Sequence, residues 1–468
     1  MKTESNRRVW RWTAVALAAA GCLLLGGCLE QCVVWSPDGE RAAVILDHGL
    51  RLCGKDGKLT EVLVPNVNRV AWFGDSQQLV LARTHAEKTW APLAQALGAE
   101  RAAAFAAKSD AAWQRLRAGA TWAQIGASFD EKELRLVRIY LRERQGEALR
   151  AKLGAGDWAS CEQQTIDVCE LVAARCEGTT IVPGAPLYAG LGELKDIRVA
   201  PGDGAVAFTV EGLLGRRDAL QLMVMLANTP GPATLVADRV AVSPDWTPDG
   251  RALVYLQASG APVGKDDLLL GVLVRRGVLE AAGKIKLDAE PQPLAGAIFD
   301  DGSRVRCLKD GRVVFNAAEL SLPVAAEDYG GQRQQLFALD PTRQSTLVRL
   351  IPRKCEEDLP GMLNFFEVSP DERQVLIGSF RGGVSVLTLA TGELQNIQSD
   401  GPKKQGIQGA PVWRRDGTVT YTRRTGGTGG AKPARAVEVV VRDGGKEQVL
   451  SVGWPDELVN RLFSEDQK

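Results

Sequence analysis

Histidine is the scarcest titratable residue in this chain. Only His48 and His85 occur among 468 residues, which limits histidine-based catalysis. The chain also lacks the G-x-S-x-G nucleophile elbow, the H-E-x-x-H zinc signature and any C-x-x-C pair. Asp47-His48 could supply a base and its orienting acid, but an exposed loop histidine is far more common. We therefore expect no enzymatic activity, no catalytic residue, no metal and no cofactor.

Net charge is absent as well. The 57 basic residues balance the 57 acidic ones, so net charge gives no reason to expect binding to nucleic acid or to acidic membranes. The sequence is 45% apolar and 24% charged, which suits a folded body and argues against wholesale disorder. Fifty glycines and 22 prolines indicate many turns, as expected of an all-β protein.

Long apolar runs are missing, apart from small and apolar residues at 13–27 that follow a basic segment. About 15 residues are short for a membrane helix, which needs roughly 20, and the pattern is typical of a secretory signal. The run ends Leu25-Gly26-Gly27-Cys28, which resembles a bacterial lipobox. The alternative is an ordinary signal peptide or membrane anchor with an incidental cysteine.

The lipobox resemblance implies a signal peptide at 1–27, acylation of Cys28 and a short tether at 28–32. Leu29 stands where an aspartate would retain a lipoprotein at the inner membrane, which favours the periplasmic face of the outer membrane. We therefore expect contact with a membrane through the lipid anchor.

A short pattern organises the rest of the chain. Trp35-Ser36-Pro37-Asp38-Gly39 joins two apolar runs, and Pro, Asp and Gly favour a tight turn between two strands. The pattern recurs with drift, giving seven copies that begin near Val34, Val70, Ile197, Asp245, Val305, Phe366 and Val412. We predict structural roles in these turns for Trp35, Pro37, Asp38, Gly39, Trp246, Pro248, Asp249, Gly250, Pro370, Asp371, Asp416 and Gly417.

Two further strand-like runs follow most copies. Four strands per unit, repeated every 40–60 residues or so, are the sequence sign of a β-propeller. We predict an all-β propeller over 33–455, with seven four-stranded blades and a tail at 456–468. The tryptophans before the turns are expected to lie in the packed core near the inner strands.

The two best copies, Trp35-Ser36-Pro37-Asp38-Gly39 and Trp246-Thr247-Pro248-Asp249-Gly250, resemble the WD40-like (PD40-type) repeat of the TolB family of bacterial periplasmic proteins. That family uses its propeller as a protein-binding platform. The resemblance implies the same kind of role here, but not TolB's particular partners.

Residues 85–160 interrupt the second repeat with helical patterns. Asp130 and Glu133 form a capping-box-like start, and Leu134, Val137 and Leu141 follow at helical spacing. Successive short helices could indicate a DNA-binding motif, but the helix arginines are matched by glutamates and the protein is expected to be exported. We therefore predict an α-helical insertion in the second blade, on the face opposite the Pro-Asp-Gly turns, and no nucleic-acid partner.

Nine cysteines are present, and an oxidising compartment would permit disulfides. Proximity in the sequence suggests two pairings, Cys169 with Cys176 and Cys32 with Cys53.

The sequence favours a noncatalytic envelope lipoprotein whose propeller binds an unidentified protein or envelope component. The alternative is a propeller-channel enzyme or a receptor for a glycan or another ligand.

Overall fold

The computed structural model describes residues 33–46, 49–54, 58–211, 220–263, 268–300, 302–318, 334–342, 346–353, 363–379, 384–397, 411–425, 436–443 and 446–450. Within these ranges no helix has both the length and the apolar character needed to cross a membrane. Strands dominate, and they form four antiparallel sheets of four strands and one 13-stranded sheet that joins three successive blades.

Blades 1 to 3 follow one another along the chain. Blade 1 contains β1 (Val33–Trp35), β2 (Arg41–Leu46), β3 (Gly49–Gly54) and β4 (Val64–Pro65). Blade 2 contains β5 (Val67–Trp72), β6 (Gln78–Glu87), β7 (Ile166–Glu177) and β8 (Thr180–Leu191). Blade 3 contains β9 (Leu194–Val199), β10 (Ala205–Glu211), β11 (Leu220–Leu226) and β12 (Thr234–Val240).

Blades 4 to 7 continue the series. Blade 4 contains β13 (Asp245–Trp246), β14 (Ala252–Val263), β15 (Leu268–Ala281) and β17 (Gln292–Phe299), with β16 (Lys284–Leu287) on the far end of β15. Blade 5 contains β18 (Val305–Cys307), β19 (Val313–Ala318), β20 (Gln334–Asp340) and β21 (Thr346–Arg349). Blade 6 contains β22 (Leu363–Val368), β23 (Gln374–Ser379), β24 (Val384–Thr388) and β25 (Leu394–Asn396). Blade 7 contains β26 (Val412–Trp413), β27 (Val419–Thr425), β28 (Ala436–Asp443) and β29 (Lys446–Leu450).

The first strands of the blades, here called the inner strands, form a ring. Successive inner strands contact each other from β1 to β18 and again from β22 to β26, while β20 contacts β22. The ring closes because β26 contacts β1. The fold is therefore an all-β propeller with seven four-stranded blades, as the repeats predict.

One apolar cluster fills each interface between neighbouring blades. Strand alternation explains this division, since successive side chains point to opposite faces of a sheet. On β14, for example, Leu253 and Tyr255 pack toward blade 3, while Val254 and Leu256 pack toward blade 5. Each blade thus buries both faces only because it has neighbours on both sides.

The insertion lies between β6 and β7, as predicted. Its helices are α1 (Trp90–Leu97), α2 (Ala99–Arg117), α3 (Trp122–Gly126), α4 (Glu131–Gln145), α5 (Glu147–Arg150) and α6 (Ala155–Gln163). The ends of β6 and β7 pair from Gln78↔Arg175 to Glu87↔Ile166, so the helices stand on an extended β-ribbon. The six helices are called the helical module below.

Helix α4 begins at the capping box that the sequence predicts. Asp130 accepts a hydrogen bond from Glu133 N at 2.7 Å, and Glu133 returns one to Asp130 N at 3.3 Å. The helix buries more than the single apolar face expected. Val137 and Leu141 pack in a core within the module, whereas Leu136 and Ile139 face the propeller. Helix α4 is therefore the central layer between two cores.

Candidate functional site

The Pro-Asp-Gly turns use their acidic residues for local hydrogen bonds. Asp38 accepts from Ser36 Oγ at 2.6 Å and from Glu40 N at 3.0 Å. Asp249 and Asp371 make the same pair of contacts within their own turns, and Asp416 accepts from Thr418 N and Oγ1. In each turn both bonds go to Oδ1 and hold the backbone of the turn, which suits a structural role.

Backbone conformation supports the same role. Gly39, Gly250 and Gly417 have φ of 75°, 68° and 82°, a region that costs glycine little. At Gly250 a Cβ atom would also lie 2.5 Å from Pro201 O, so a side chain would collide with the neighbouring turn. Pro37, Pro248 and Pro370 each occupy the residue just before the turn aspartate.

The repeat tryptophans link neighbouring blades. Trp72 Nε1 donates to Val34 O at 2.9 Å, and Trp246 Nε1 donates to Arg198 O at 3.1 Å. Trp413 Nε1 likewise donates to Glu367 O at 3.2 Å. In each case the acceptor lies on the inner strand of the preceding blade. These indoles are buried in the core, and they also fix the spacing of the inner strands.

The predicted Cys169–Cys176 disulfide is wrong. Both residues lie on β7, Cys169 opposite Gly190 and Cys176 opposite Ile181 of β8, and both are free thiols. Seven residues of strand separate them by roughly 23 Å, whereas a disulfide needs Cα atoms within about 7 Å. Burial raises the pKa of the Cys169 thiol to about 12, so it is chemically inert.

Other predicted site residues lie outside the described ranges. They are Cys28, Cys32 and the Asp47-His48 pair, so the lipidation site, the Cys32–Cys53 pairing and that catalytic alternative stay predictions. His85 is described, and its Nε2 lies 3.2 Å from Glu87 Oε1. Within the described chain, no three His, Cys, Asp or Glu side chains form a metal-binding group.

The sequence analysis missed a group of polar and charged residues at the centre of the ring, here called the inner-strand cluster. Its members lie on, or just before, the inner strands of blades 3 to 6. They are Asp196, Arg198, Ser243, Asp245, Arg304, Arg306 and Glu367. The signal in the sequence is the pair of polar residues at i and i+2 on three of these strands, but the apolar residues between them also fit a core strand.

Ser243 is the geometric centre of this cluster. Its hydroxyl oxygen accepts from Arg198 Nη2 at 2.7 Å and from Arg306 Nη1 at 3.1 Å. Arg198 Nε also donates to Asp196 Oδ2 at 3.0 Å. Ser243 is 1% exposed, so both guanidinium groups converge on a deeply buried hydroxyl.

The two remaining acids of the cluster do not pair with Arg306. Asp245 Oδ2 accepts from Cys307 N at 2.8 Å. Glu367 Oε2 is buried and has no hydrogen-bond partner among the described residues. The aromatic rings of blade 6 instead face the arginines, with Arg304 Cζ 4.5 Å from the Phe365 centroid and Arg306 Cζ 5.9 Å from that of Phe366.

Burial and mutual repulsion shift the pKa values of the cluster. Burial, together with Arg198 and Arg304, lowers the pKa of Arg306 to about 9. Burial raises the pKa of Glu367 to about 7 against the opposing pull of Arg306 and Arg198. Burial would also raise the pKa of Asp196, but its arginine neighbours outweigh that effect and lower it. Burial would lower the pKa of Arg198, but Asp196 and Asp245 outweigh that effect and raise it.

The helical module is the second candidate site. Leu93, Leu97 and Phe105 pack with Ile166 and Val168 of β7 in one buried cluster. Lys132 Nζ on α4 lies 3.2 Å from Glu211 Oε1 at the end of β10, so the module also reaches blade 3. These contacts hold it in a fixed position on the propeller.

No protein-family model matches this sequence, and no curated protein matches it. Solved structures do match in fold. A protein described as TolB from Agrobacterium tumefaciens is 13% identical, with 57% of this chain and 83% of that chain covered at a TM-score of 0.37. The Cps50 (Swd1) β-propeller domain of Myceliophteria thermophila is 10% identical, with 84% and 93% covered at a TM-score of 0.44.

An enzyme is also among these neighbours. An oligogalacturonate lyase, solved in complex with manganese, is 15% identical, with 76% of each chain covered at a TM-score of 0.40. The neighbours thus include a TolB protein, a Swd1 propeller domain and a lyase.

Proposed function

We propose that this protein is a noncatalytic lipoprotein of the bacterial cell envelope, whose propeller is a platform for binding a protein or another envelope component. The observation that carries the proposal is the fixed position of the helical module, which projects from the end of the β6–β7 ribbon. Rigid scaffolds that present one variable element are a common design for recognition.

The module's outward surface suits a polar partner. Glu131, Arg135 and Arg144 of α4 are exposed, and Arg135 pairs with Glu131 at 2.6 Å. Exposed ion pairs contribute little to stability, with a median below about 1 kcal/mol, so they can be exchanged for contacts with a partner. Because the module is already ordered, binding would not need the ordering of a loop.

The proposed tether limits where this surface can lie. Residues 28–32 separate Cys28 from β1, and five residues span at most about 18 Å. The propeller would therefore lie close to the lipid headgroups with limited freedom to reorient. Replacing Cys28 with Ala tests this part of the proposal, because lipid labelling and membrane fractionation of the variant should both be lost. Unchanged membrane association of the variant would contradict the anchor.

The platform role is tested by removing the module at its base. Glu87 and Ile166 are paired across the ribbon, so they can be joined directly by an Asn-Gly turn, which favours a two-residue hairpin. The deletion exposes Ile166 and Val168, which are 7% and 3% exposed in the intact protein. Both should therefore be changed to Thr, which keeps the strand propensity.

Crosslinking in intact envelopes, followed by affinity purification, then compares the two proteins. We expect the full chain to capture a partner that the truncated chain does not. The matched control keeps the module and reverses its exposed charges with Arg135→Glu and Arg144→Glu, and it should weaken capture without changing the fold. If the truncated protein captures every partner unchanged, the module is not the recognition element.

A further inference from the structure

We propose that the inner-strand cluster is a binding site for a small oxyanion, such as a carboxylate, sulfate or phosphate group, held between Arg198 and Arg306. This site is independent of the platform role proposed for the helical module. It lies on different blades and needs none of the module's residues.

The first argument is the proximity of two like charges. Arg198 Nη2 and Arg306 Nη1 share one acceptor, Ser243 Oγ, at 2.7 and 3.1 Å. These two nitrogens are therefore within about 6 Å of each other, where two cations repel. Asp196 contacts Arg198 directly at 3.0 Å, but no such ion pair forms with Arg306 among the described residues, so an anion between the two guanidinium groups would offset the repulsion that remains.

The second argument is the number of donors left over. Arg306 uses only Nη1, which donates to Ser243 Oγ and Val305 O. Its Nε and Nη2, and Nη1 of Arg198, have no acceptor in the part of the chain that the structure describes, yet none of the three is among the fully buried atoms. Arg306 is 9% exposed and the Arg198 side chain 22% exposed, so these donors can meet a ligand from the space that the inner strands enclose.

The third argument is that no acid of the described chain contacts Arg306, although Glu367 is near enough to interact with it electrostatically. Asp196 is paired with Arg198, and Asp245 is bonded to Cys307 N. No Asp or Glu oxygen of the described chain lies within 4.0 Å of an Arg306 nitrogen. Guanidinium forks bind carboxylate and phosphate oxygens with two parallel hydrogen bonds, and this is the ligand chemistry that the unused donors fit.

The geometry also explains why the site takes a small group. The aromatic rings of Phe365 and Phe366 lie against Arg304 and Arg306, and they close the blade 6 side of the cluster. Ser243 lies on the other side, between the two guanidinium groups. We therefore expect a carboxylate or a tetrahedral oxyanion of a few atoms rather than a large ligand.

Isothermal titration calorimetry on the detergent-solubilised full chain tests the proposal. Sulfate, inorganic phosphate and succinate are titrated separately, each against sodium chloride at equal ionic strength, so that the three arms distinguish the sources of the oxyanion. We expect saturable binding of at least one probe at one site per chain. Binding of none of the three at millimolar concentration would overturn the proposal.

Three variants assign the binding to this cluster. Arg306→Gln should weaken it at least tenfold, or about 1.4 kcal/mol, because it removes the charge and the fork. Arg306→Lys keeps the charge and should give an intermediate affinity. The matched control is Arg312→Gln, which alters an exposed arginine paired with Asp310 at the next turn of the same blade, and it should bind like the wild type.

Circular dichroism establishes that each variant is folded before it is titrated. If Arg306→Gln does not fold, Ser243→Ala serves instead, since it removes the hydroxyl that orients both guanidinium groups and should weaken binding. Unchanged affinity in a folded Arg306→Gln or Ser243→Ala protein would place the anion elsewhere and overturn the assignment.

Discussion

Trp35 Nε1 donates a hydrogen bond to Thr420 Oγ1 at 3.2 Å, and this bond joins the first blade to the last across 385 residues. Both blades take all four strands from their own segment of the chain, so no strand is shared between them in the part of the chain that the structure describes. Side chains close it instead. Arg414 Cζ lies 4.5 Å from the Trp35 centroid, and Val412 packs among Val33 and Val44 of blade 1.

Replacing Trp35 with Phe should therefore destabilise the ring at its closure. The change keeps most of the apolar contact but leaves the Thr420 hydroxyl, which is 0% exposed, without its donor. A buried polar group without a partner costs about 1–3 kcal/mol, and urea denaturation should show a loss of that size. Hydrogen exchange should accelerate first in β1 and β26.

Trp72→Phe is the comparison for that experiment. It removes an equivalent hydrogen bond, to Val34 O, between two blades that are also joined by the chain. We expect a similar or smaller loss of stability, without selective opening of β1 and β26. Equal exchange behaviour in the two variants would show that the ring closure is no weaker than its other interfaces.

The turn aspartates should matter for stability rather than for binding. Asp249→Ala removes the acceptor of Thr247 Oγ1 and Arg251 N and should cost about 1 kcal/mol, in the range of lost caps and turn bonds. Asp249→Asn keeps an acceptor oxygen and should cost less. Thermal denaturation measures both changes, and equal losses would mean that charge, not hydrogen bonding, is what matters at this position.

Glu367 should make stability depend on pH around neutrality. Its folded pKa of about 7 lies above its ordinary value of 4.5, so between these values the folded state holds a proton that the unfolded state has lost. The free energy of unfolding should therefore fall as pH rises from about 4.5 to about 7. The groups that face Glu367 are Arg198, Arg304, Arg306 and Trp413 N.

Glu367→Gln checks this expectation, because glutamine resembles the protonated acid at every pH. Its stability relative to the wild type should increase between pH 5 and pH 8 in denaturant titrations. The turn aspartates have lowered pKa values, so they lose their contribution only below this window, as pH falls. A difference between variant and wild type that does not change with pH would contradict the assigned pKa.

Sequence reasoning succeeded where a local rule decides the structure. The turn residues and the capping box of α4 depend on neighbours within five positions, and the repeat of the turn motif then reveals the blades. The arginine cluster depends on four inner strands that meet only after the ring forms, with Arg198 and Arg306 lying 45 and 63 residues from Ser243 along the chain. The predicted Cys169–Cys176 disulfide is wrong for a related reason. Both residues lie on one extended strand, which holds residues that are near each other in sequence far apart in space.

The cysteines of blade 2 and the module should stay reduced and unreactive in the native protein. Cys161 and Cys169 are 0% exposed, and burial raises their thiol pKa values to about 11 and about 12, so little thiolate is available to react. A thiol reagent should label neither until the protein is unfolded. Rapid native labelling of Cys169, or a mass loss that reports a Cys169–Cys176 bridge, would contradict the described strand.

The position of the helical module should depend in part on Lys132 and Glu211. Their side chains are 37% and 25% exposed. Solvent therefore screens the ion pair, which contributes at most about 1 kcal/mol to the docking of the module. Lys132→Glu places two acids together and should loosen the contact between α4 and blade 3, seen as faster hydrogen exchange in α4.

Adding Glu211→Lys restores opposite charges and should reverse much of that change. Lys195 also lies 3.7 Å from Glu211, so the reversed pair meets a second lysine and recovery should be incomplete. If the double variant is no better than Lys132→Glu alone, the docking of the module rests on its apolar contacts with β7.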